Sequence, residues 1–439
     1  MLSGRRSEIP SQWLPFVGRR LGLARALSVL PDDPEDLDLY HVVPTLSSIG
    51  PLLGDSRQLE PRAGGADVGL EGAVNRAMGE LLERYAALAY DGTGKVVASY
   101  RDLCSGGHKV VPFDYLSLYT REQFQRPGFI FAKFTPDTPL GWFAGTDLTD
   151  GSLVYVPGQL ISLGYRRAPD EPSTCFYSTS SGCALATSPE GALLGGLLEC
   201  IERDAFVIRW YARLPPPVLP LDPATVLGRH LGAHRQGLEL RLLDMTIDGS
   251  VPVVGATCIE RTDRPCFFIL GCAAALDVRT AARKALIEVG QGRPFVKSLA
   301  YQDKPAGEDT EFKDFDSNVG FFGDPSHAHY VEWFSQNSTI SERDSSSRPD
   351  TNATPAELLR KLLGRCSSMG VTPIAFDLTT PEMSDHGLFA SRVFVPELVP
   401  LCVSSAPFLG HPRLQQLITK SESDGSAINI PAWIPHPFP

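Results

Sequence analysis

Two short stretches carry the same charges at the same spacing: "ELLER" places Glu80, Glu83 and Arg84, and "ECIER" places Glu199, Glu202 and Arg203. A third, "KALIEVGQGR", sets Lys284, Glu288 and Gln291 along one side of a helix. A lone ExxER is commonly an exposed ion pair worth ~0.3–0.5 kcal/mol. The neighbours make these three different. Ala73, Ala77 and Ala87 surround the first set, Ala192, Gly195 and Gly196 the second, and Ala281, Ala285 and Gly292 the third. A helical glycine costs about 1 kcal/mol relative to alanine, so small residues beside charges imply that a ligand or another backbone comes close. Carboxylates gathered in a partly buried cleft repel strongly at low effective dielectric, and divalent cations offset that repulsion. Oxygen donors without His or Cys point to Mg²⁺, which binds through carboxylates, retained waters and substrate phosphates. Arg84, Arg203 and Lys284 would then hold phosphate oxygens, the arginines by a bidentate fork. The chain contains no GxxxxGK[ST], so an ATP site of this kind works without a glycine-rich phosphate loop.

Helices must present these faces. Ser188 is a good N-cap, Pro189 suits the first helical position, and Glu190 complements the dipole, which predicts a helix over 188–210. Leu193, Leu194, Leu197, Leu198 and Ile201 form its apolar side. Periodicity predicts further helices over 68–90 and 278–293. "SLVYVPGQLISLGY", "LRLLDMT", "VPVVGATCI" and "CFFILGCAAAL" read as strands. They cluster rather than alternate with helices, which favours an α+β fold over a doubly wound one. Residues 1–60, rich in Pro, Arg and Asp, read as an N-terminal extension or docking subdomain whose helix-like "LGLARALSVL" ends at Pro31. Residues 61–439 read as the main domain. Within it, 335–355 is a polar, mobile loop, "AELLRKLLGRC" is helical, and the tail "PAWIPHPFP" is too proline-rich for helix or central strand.

Composition removes several classes of function. Lys and Arg number 40 against 51 Asp and Glu, a net charge of -11, with no basic block to follow a nucleic-acid backbone. Arginines interrupt every apolar run near the N-terminus, and no segment approaches the ~20 apolar residues that span a bilayer. A soluble cytoplasmic protein with no nucleic-acid or membrane partner is expected. Nine scattered cysteines without a CxxC pair fit reduced thiols. His327 and His329, and Cys104 with His108, read as loop and turn residues rather than as a metal site or a nucleophile and base.

At the charged motifs the sequence resembles the YcaO superfamily, whose signature is a pair of ExxER helices and a later RALxExxQxR helix. Here Lys284 replaces the first Arg, and "SSGCALATSPEGALLGGLLECIERDAF" is close to the family's most characteristic segment. "DTPLGWFAGTDLTDGSLVYVPGQLISLGY" and the terminal "PHPFP" look like the azoline-forming subgroup, including the cyclodehydratase of streptolysin S-like toxins. The resemblance implies an ATP- and Mg²⁺-dependent enzyme that makes thiazolines or oxazolines from Cys, Ser or Thr of a ribosomal precursor peptide. It implies that Glu80, Glu83, Glu199, Glu202 and Glu288 bind Mg²⁺. Arg84, Arg203, Lys284, Gln291, Arg293, Ser180, Ser181 and Gly182 match positions around the nucleotide. Pro435, Pro437 and Pro439 match a PxPxP that supports cyclisation, with the Pro439 carboxylate as a general base. Implied partners are a separate ThiF-like leader-binding protein, a flavin-dependent azoline dehydrogenase and a second copy of the chain in a homodimer. Thioamide or macroamidine formation and a weakly catalytic peptide-binding scaffold are the alternatives. One departure is the turn "GGADVG", residues 64–69, which lacks the lysine that family members often carry there.

Overall fold

The computed structural model describes residues 9–20, 22–31, 36–50, 53, 63–92, 94–171, 174–231, 237–248, 251–260, 268–300, 312, 314–346, 350, 352–425, 428 and 434–438. Twelve strands among them form three sheets, and every strand pairing is antiparallel. The first sheet joins β1 (Ala24–Val29), β2 (Tyr40–Leu46) and β3 (Gly65–Asp67). The second runs β4 (Val96–Ala98), β5 (Leu140–Asp147), β11 (Ile374–Asp377), β12 (Phe389–Phe394) and β7 (Cys183–Ala186), with β6 (Leu153–Pro157) also paired to β5. The third is β8 (Leu238–Asp244), β9 (Val253–Glu260) and β10 (Phe268–Ala274). The fold is α+β.

Three long helices stitch the sheets together. α1 (Leu70–Ala89) packs on β2 and β3 and reaches β7. α2 (Pro189–Tyr211) packs on β7 and β12 and reaches β10, and α3 (Val278–Ala300) packs on β9 and β10 and reaches β3. Each helix thus bridges two sheets, and the three bridges close a ring. The predicted start of α2 is present: the Ser188 hydroxyl accepts the Gly191 N–H at 3.0 Å, ahead of Pro189. α3 is capped by Asp277, whose carboxylate accepts the Thr280 N–H at 2.9 Å. Met78, Leu81, Leu82, Leu197, Ile201 and Phe206 enter the larger core, and Leu286, Ile287 and Val289 a second one behind the third sheet.

The small residues on the helix faces are explained by close strand crossings. A Cβ at Gly65 of β3 would overlap the backbone of Ala73 and Ala77 in α1. A Cβ at Gly271 of β10 would overlap Ala285 of α3, and one at Gly196 of α2 would meet the Gly182 carbonyl. Another backbone comes close at each of these places.

Three expectations change. "LGLARALSVL" contains a strand, because Ala24 to Val29 pair antiparallel with β2, with one register shift between Ala24 and Ala26, and that pairing outweighs a weak helical preference. The boundary near residue 60 runs through one sheet, since β2 pairs with β3 from Tyr40↔Asp67 to Val42↔Gly65, and Trp13 and Phe16 sit in the main core. The stretch expected to be mobile is tied down at 340–343: Ile340 bridges Val218, and Ser341 and Arg343 both bond the Asp244 carboxylate, at 2.7 and 3.0 Å. "AELLRKLLGRC" lies in the helix Pro355–Met369. Among the described residues no helix is long and apolar enough to cross a membrane.

Candidate active site

The ring of helices turns its charged faces toward one another. Glu80, Glu83 and Arg84 come from α1, Glu199, Glu202 and Arg203 from α2, and Lys284 and Glu288 from α3. Within each ExxER the arginine bridges its own glutamates: Arg84 lies 3.4 Å from Glu80 and 4.0 Å from Glu83, and Arg203 lies 3.2 Å from Glu199 and 3.4 Å from Glu202. The other carboxylate oxygens hold the strands that cross each helix. Glu80 accepts the Gly64 N–H at 3.0 Å, Glu199 that of Gly182 at 3.2 Å, and Glu288 that of Cys272 at 3.0 Å. Glu202 accepts the Ala274 N–H at 3.2 Å. Each helix therefore fixes its acidic face by the same device, a carboxylate capping a strand backbone.

Electrostatics couples the helices. Burial raises Glu83 well above the ordinary carboxylate range, and Glu199 across the cleft adds to it. Burial pushes Glu202 up to about 8 against the pull of Arg203, with Glu288 and Glu199 adding repulsion. Glu80 and Glu288 are raised as well, chiefly by burial. Lys284 is lowered by burial and makes no ion pair among the described residues. Five carboxyl groups thus face three cationic side chains, Arg84, Arg203 and Lys284.

Three buried atoms at this cleft make no hydrogen bond: Arg203 Nη1, Arg84 Nε, which has only the 4.0 Å ion contact with Glu83, and Glu202 Oε1, which has only the 3.4 Å ion contact with Arg203. Leaving such groups unmade costs about 1–3 kcal/mol each, more when charged. Mg²⁺ and phosphate oxygens are the complement of this donor set, the cation for the surplus carboxylates and the oxyanions for the arginines and Lys284. Among the described residues no three His, Cys, Asp or Glu form a ready-made metal cage. A cation held here would draw part of its shell from water and phosphate, which suits Mg²⁺.

The Ser180–Gly182 turn closes one side. Cys183 N–H bonds the Ser180 carbonyl at 2.8 Å, and Gly182 adopts φ +85°. A Cβ there would overlap the Val393 carbonyl, so only glycine fits. Gln291 reaches the glycine turn instead of open cleft, accepting the Ala66 N–H at 3.2 Å and donating to the Gly64 carbonyl at 3.4 Å. Arg293 is a correction. It is 1% exposed on the far side of α3, with its guanidinium held by Asp36 and Glu260, so it has no free edge for a nucleotide.

Two regions escaped the sequence reading. Arg76, four residues before Glu80, acts electrostatically on Glu288 and Lys284 and is paired with Asp67 at 2.9 Å. In the tail, the residues between the prolines form the anchor. His436 is fully buried, its Nε2 lying 2.7 Å from the Cys402 carbonyl and 3.3 Å from Asn318 Nδ2. Phe438 packs 4.7 Å from the Phe206 ring and lies under Arg203, whose guanidinium carbon is 4.2 Å from the Phe438 ring centre. Pro435 and Pro437 are buried with them, and Pro439 lies outside the described residues.

The fold is shared with known proteins. A family model described as YcaO cyclodehydratase, ATP- and Mg²⁺-binding, matches residues 65–399. Curated relatives include an uncharacterized protein of the tfuA 3′ region of Rhizobium leguminosarum bv. trifolii, 32% identical over 37% of this chain and 42% of that one. Another, from Methanothermobacter thermautotrophicus, is 30% identical over 59% of this chain and 65% of that one. The chain therefore spans less than two thirds of either relative. A heterocyclase solved with substrate and cofactor superposes with a TM-score of 0.71 at 20% identity, covering 95% of this chain and 55% of that one. YcaO from Methanopyrus kandleri, bound with AMPPCP and Mg²⁺, gives 0.59 at 20% identity over 93% and 90%. The E. coli microcin synthetase McbBCD complex gives 0.62 at 14% identity over 94% and 96%.

Proposed function

Because the chain belongs to the YcaO family, we propose that it is an ATP-dependent cyclodehydratase that converts Cys, Ser or Thr of a ribosomal precursor peptide into azolines. The side chain of the substrate residue adds to the preceding amide carbonyl. That oxygen takes the γ-phosphoryl group of ATP and leaves as phosphate, giving the ring, ADP and phosphate. ATP supplies what an amide oxygen lacks, a good leaving group. What the protein contributes is positioning and charge neutralisation.

The observation that carries this reading is the open charge cluster: five carboxyl groups, three cations and atoms of Arg84, Arg203 and Glu202 that make no hydrogen bond, on three facing helices. Glu80, Glu83, Glu199, Glu202 and Glu288 would hold Mg²⁺. Arg84, Arg203 and Lys284 would hold phosphate oxygens, with Ser180, Ser181 and Gly182 bordering the nucleotide and Gln291 fixing the glycine turn. The tail is assigned to the peptide side, since Phe438 lies under Arg203 of the cluster. Under this assignment Pro435 and Pro437 stiffen the approach of Phe438 to the cluster. A leader-binding partner, an azoline dehydrogenase and a homodimer belong to the same proposal.

The test is peptide mass spectrometry after incubation with ATP, Mg²⁺, a cognate precursor and its leader-binding partner. A loss of about 18 Da per modified residue is the expected dehydration. Unchanged peptide with intact ATP would leave only a scaffold, and a sulfide-dependent mass gain would replace ring formation by thioamidation.

A further inference from the structure

The tail meets the charge cluster through a histidine with only one workable tautomer. Of residues 435–438 only His436 and Phe438 carry a backbone N–H, since proline has none. Each of these finds a side chain: His436 donates to Ser404 Oγ at 3.1 Å, and Phe438 donates to Nδ1 of His436 at 3.3 Å. Nδ1 is therefore unprotonated. The ring proton sits on Nε2, which donates to the Cys402 carbonyl at 2.7 Å. The Asn318 amide lies 3.3 Å from the same nitrogen, and its oxygen, which otherwise makes no hydrogen bond, is the end that suits this tautomer. Burial, and after it the Arg203 charge, lowers His436 to about 4, so the ring is neutral at physiological pH.

This geometry aims Phe438. The Nδ1 bond closes a turn from His436 to Phe438, and both rings then grip one side chain of α2: His436 lies edge-on to Phe206 with ring centres 5.6 Å apart, and Phe438 lies 4.7 Å from the same ring. Phe206 stands about one helical turn beyond Arg203. Phe438 thereby rests against the Arg203 guanidinium, whose carbon is 4.2 Å from the Phe438 ring centre, while Arg203 Nη1 makes no hydrogen bond. An aromatic ring against a guanidinium restricts its orientation and leaves an N–H edge for a phosphate oxygen. We propose that His436 is a positioning residue of the cluster: its Nε2-protonated imidazole holds Phe438 through Nδ1, and Phe438 holds the Arg203 guanidinium in orientation. The consequence for ring formation rests on the cyclodehydratase reading; the placement of Phe438 does not.

Two substitutions separate the ring nitrogens. An Asn oxygen stands where Nδ1 does and accepts the N–H two residues on, but does not reach the Cys402 carbonyl; Gln reaches that carbonyl and offers no acceptor at the Nδ1 position. Fluorine NMR of the full chain carrying para-fluorophenylalanine at position 438 reads the placement without nucleotide or peptide. His436→Asn should keep the wild-type signal, whereas His436→Gln and His436→Leu should move it toward that of the unfolded chain. Nitrogen NMR of histidine-labelled protein should show the proton on Nε2 in the signals that His436→Asn removes. In the mass-loss assay Gln and Leu should lower kcat roughly tenfold, the scale of one hydrogen bond, with KM for ATP changed less than about fivefold, and Asn should restore most of kcat. Far-ultraviolet circular dichroism establishes that each variant is folded. A proton on Nδ1, a fluorine signal that Asn loses or that Gln or Leu keeps, or a wild-type kcat in Gln despite a moved signal, overturns the proposal. A wild-type chain that forms no rings would instead sink the cyclodehydratase reading, with the fluorine and nitrogen signals still deciding the place of His436.

Discussion

The two ends of α3 hold two buried ion clusters of opposite design. Near its C-terminal end Arg293 pairs with Asp36 and Glu260, and Lys297 lies 2.9 Å from Asp36: two cations against two carboxylates. Near its N-terminal end Lys284 and Glu288 join a set with five carboxyl groups, three cations and buried atoms that make no hydrogen bond. The first cluster is a joint, stapling the segment before β2 and the third sheet to the helix. The second leaves its charge open, at a cost to the fold that only an external ligand removes. Closure of charge, rather than burial of charge, separates structure from site here.

The largest effect expected from this contrast is on turnover. Glu202→Gln should reduce ATP hydrolysis at least ~100-fold, the scale of losing one preorganised electrostatic contact, with Tm unchanged or slightly higher. Phosphate release and calorimetry measure the pair of outcomes. A large drop in Tm with normal turnover would put Glu202 in the joint class. Arg293→Met is the mirror experiment. It strands Asp36 and Glu260, and breaking a buried pair in this way costs ~3–5 kcal/mol. Denaturant unfolding should register that loss, while ATP turnover per folded molecule stays near wild type. Selective loss of nucleotide affinity would return Arg293 to the site.

A smaller effect tests the tail as a bridge to the open cluster. Phe438→Leu keeps an apolar side chain but removes a cation–π contact of about 0.5–2 kcal/mol on Arg203. Deleting residues 435–439 should lower cyclisation far more than nucleotide binding, and Phe438→Tyr should restore most of the loss caused by leucine. Equal losses of both activities after the deletion would sink the assignment of the tail to the peptide side.

How much of this was legible in the sequence depends on the range of the interaction. Local signals were reliable: Ser188 and Pro189 announced α2, and repeated ExxER with small neighbours announced three facing helices. The cause of the small neighbours was half legible, since own-chain strands and a ligand predict the same alanines and glycines. Arg293 was misassigned although the signal existed. Nine residues from Lys284 at 100° each place it about 180° around the helix, away from the cleft. Arg76 was missed although four residues before Glu80 is the same face. Its role was hidden by being outside the repeated motif. The partners of Arg293 were not readable, because Asp36 lies 257 residues away and Glu260 33, and only the tertiary fold joins them. In the tail the prolines drew attention while His436 and Phe438 make the contacts.

The last prediction concerns pH, where the open cluster and two buried histidines carry opposite signs. Glu202 is raised to about 8 by burial, so the folded state holds its proton more tightly than the unfolded chain, whose glutamates titrate near ~4.3. Its contribution is therefore fully present below that value and is lost as pH rises through about 8. Burial lowers His436 and His411 to about 4, whereas unfolded histidines titrate near ~6.5. Their contribution is present above ~6.5 and is lost as pH falls toward 4. Metal-free protein should thus gain stability as pH is lowered from about 8 toward ~6.5, then lose it as the histidine penalty takes over. Glu202→Gln should flatten the upper limb alone, and His411→Gln should flatten part of the lower limb alone, both read from denaturant midpoints across the pH series. A lower limb unchanged by His411→Gln would remove that histidine from the acid response, and an upper limb retained in Glu202→Gln would mean that the open cluster is not what strains the fold at neutral pH.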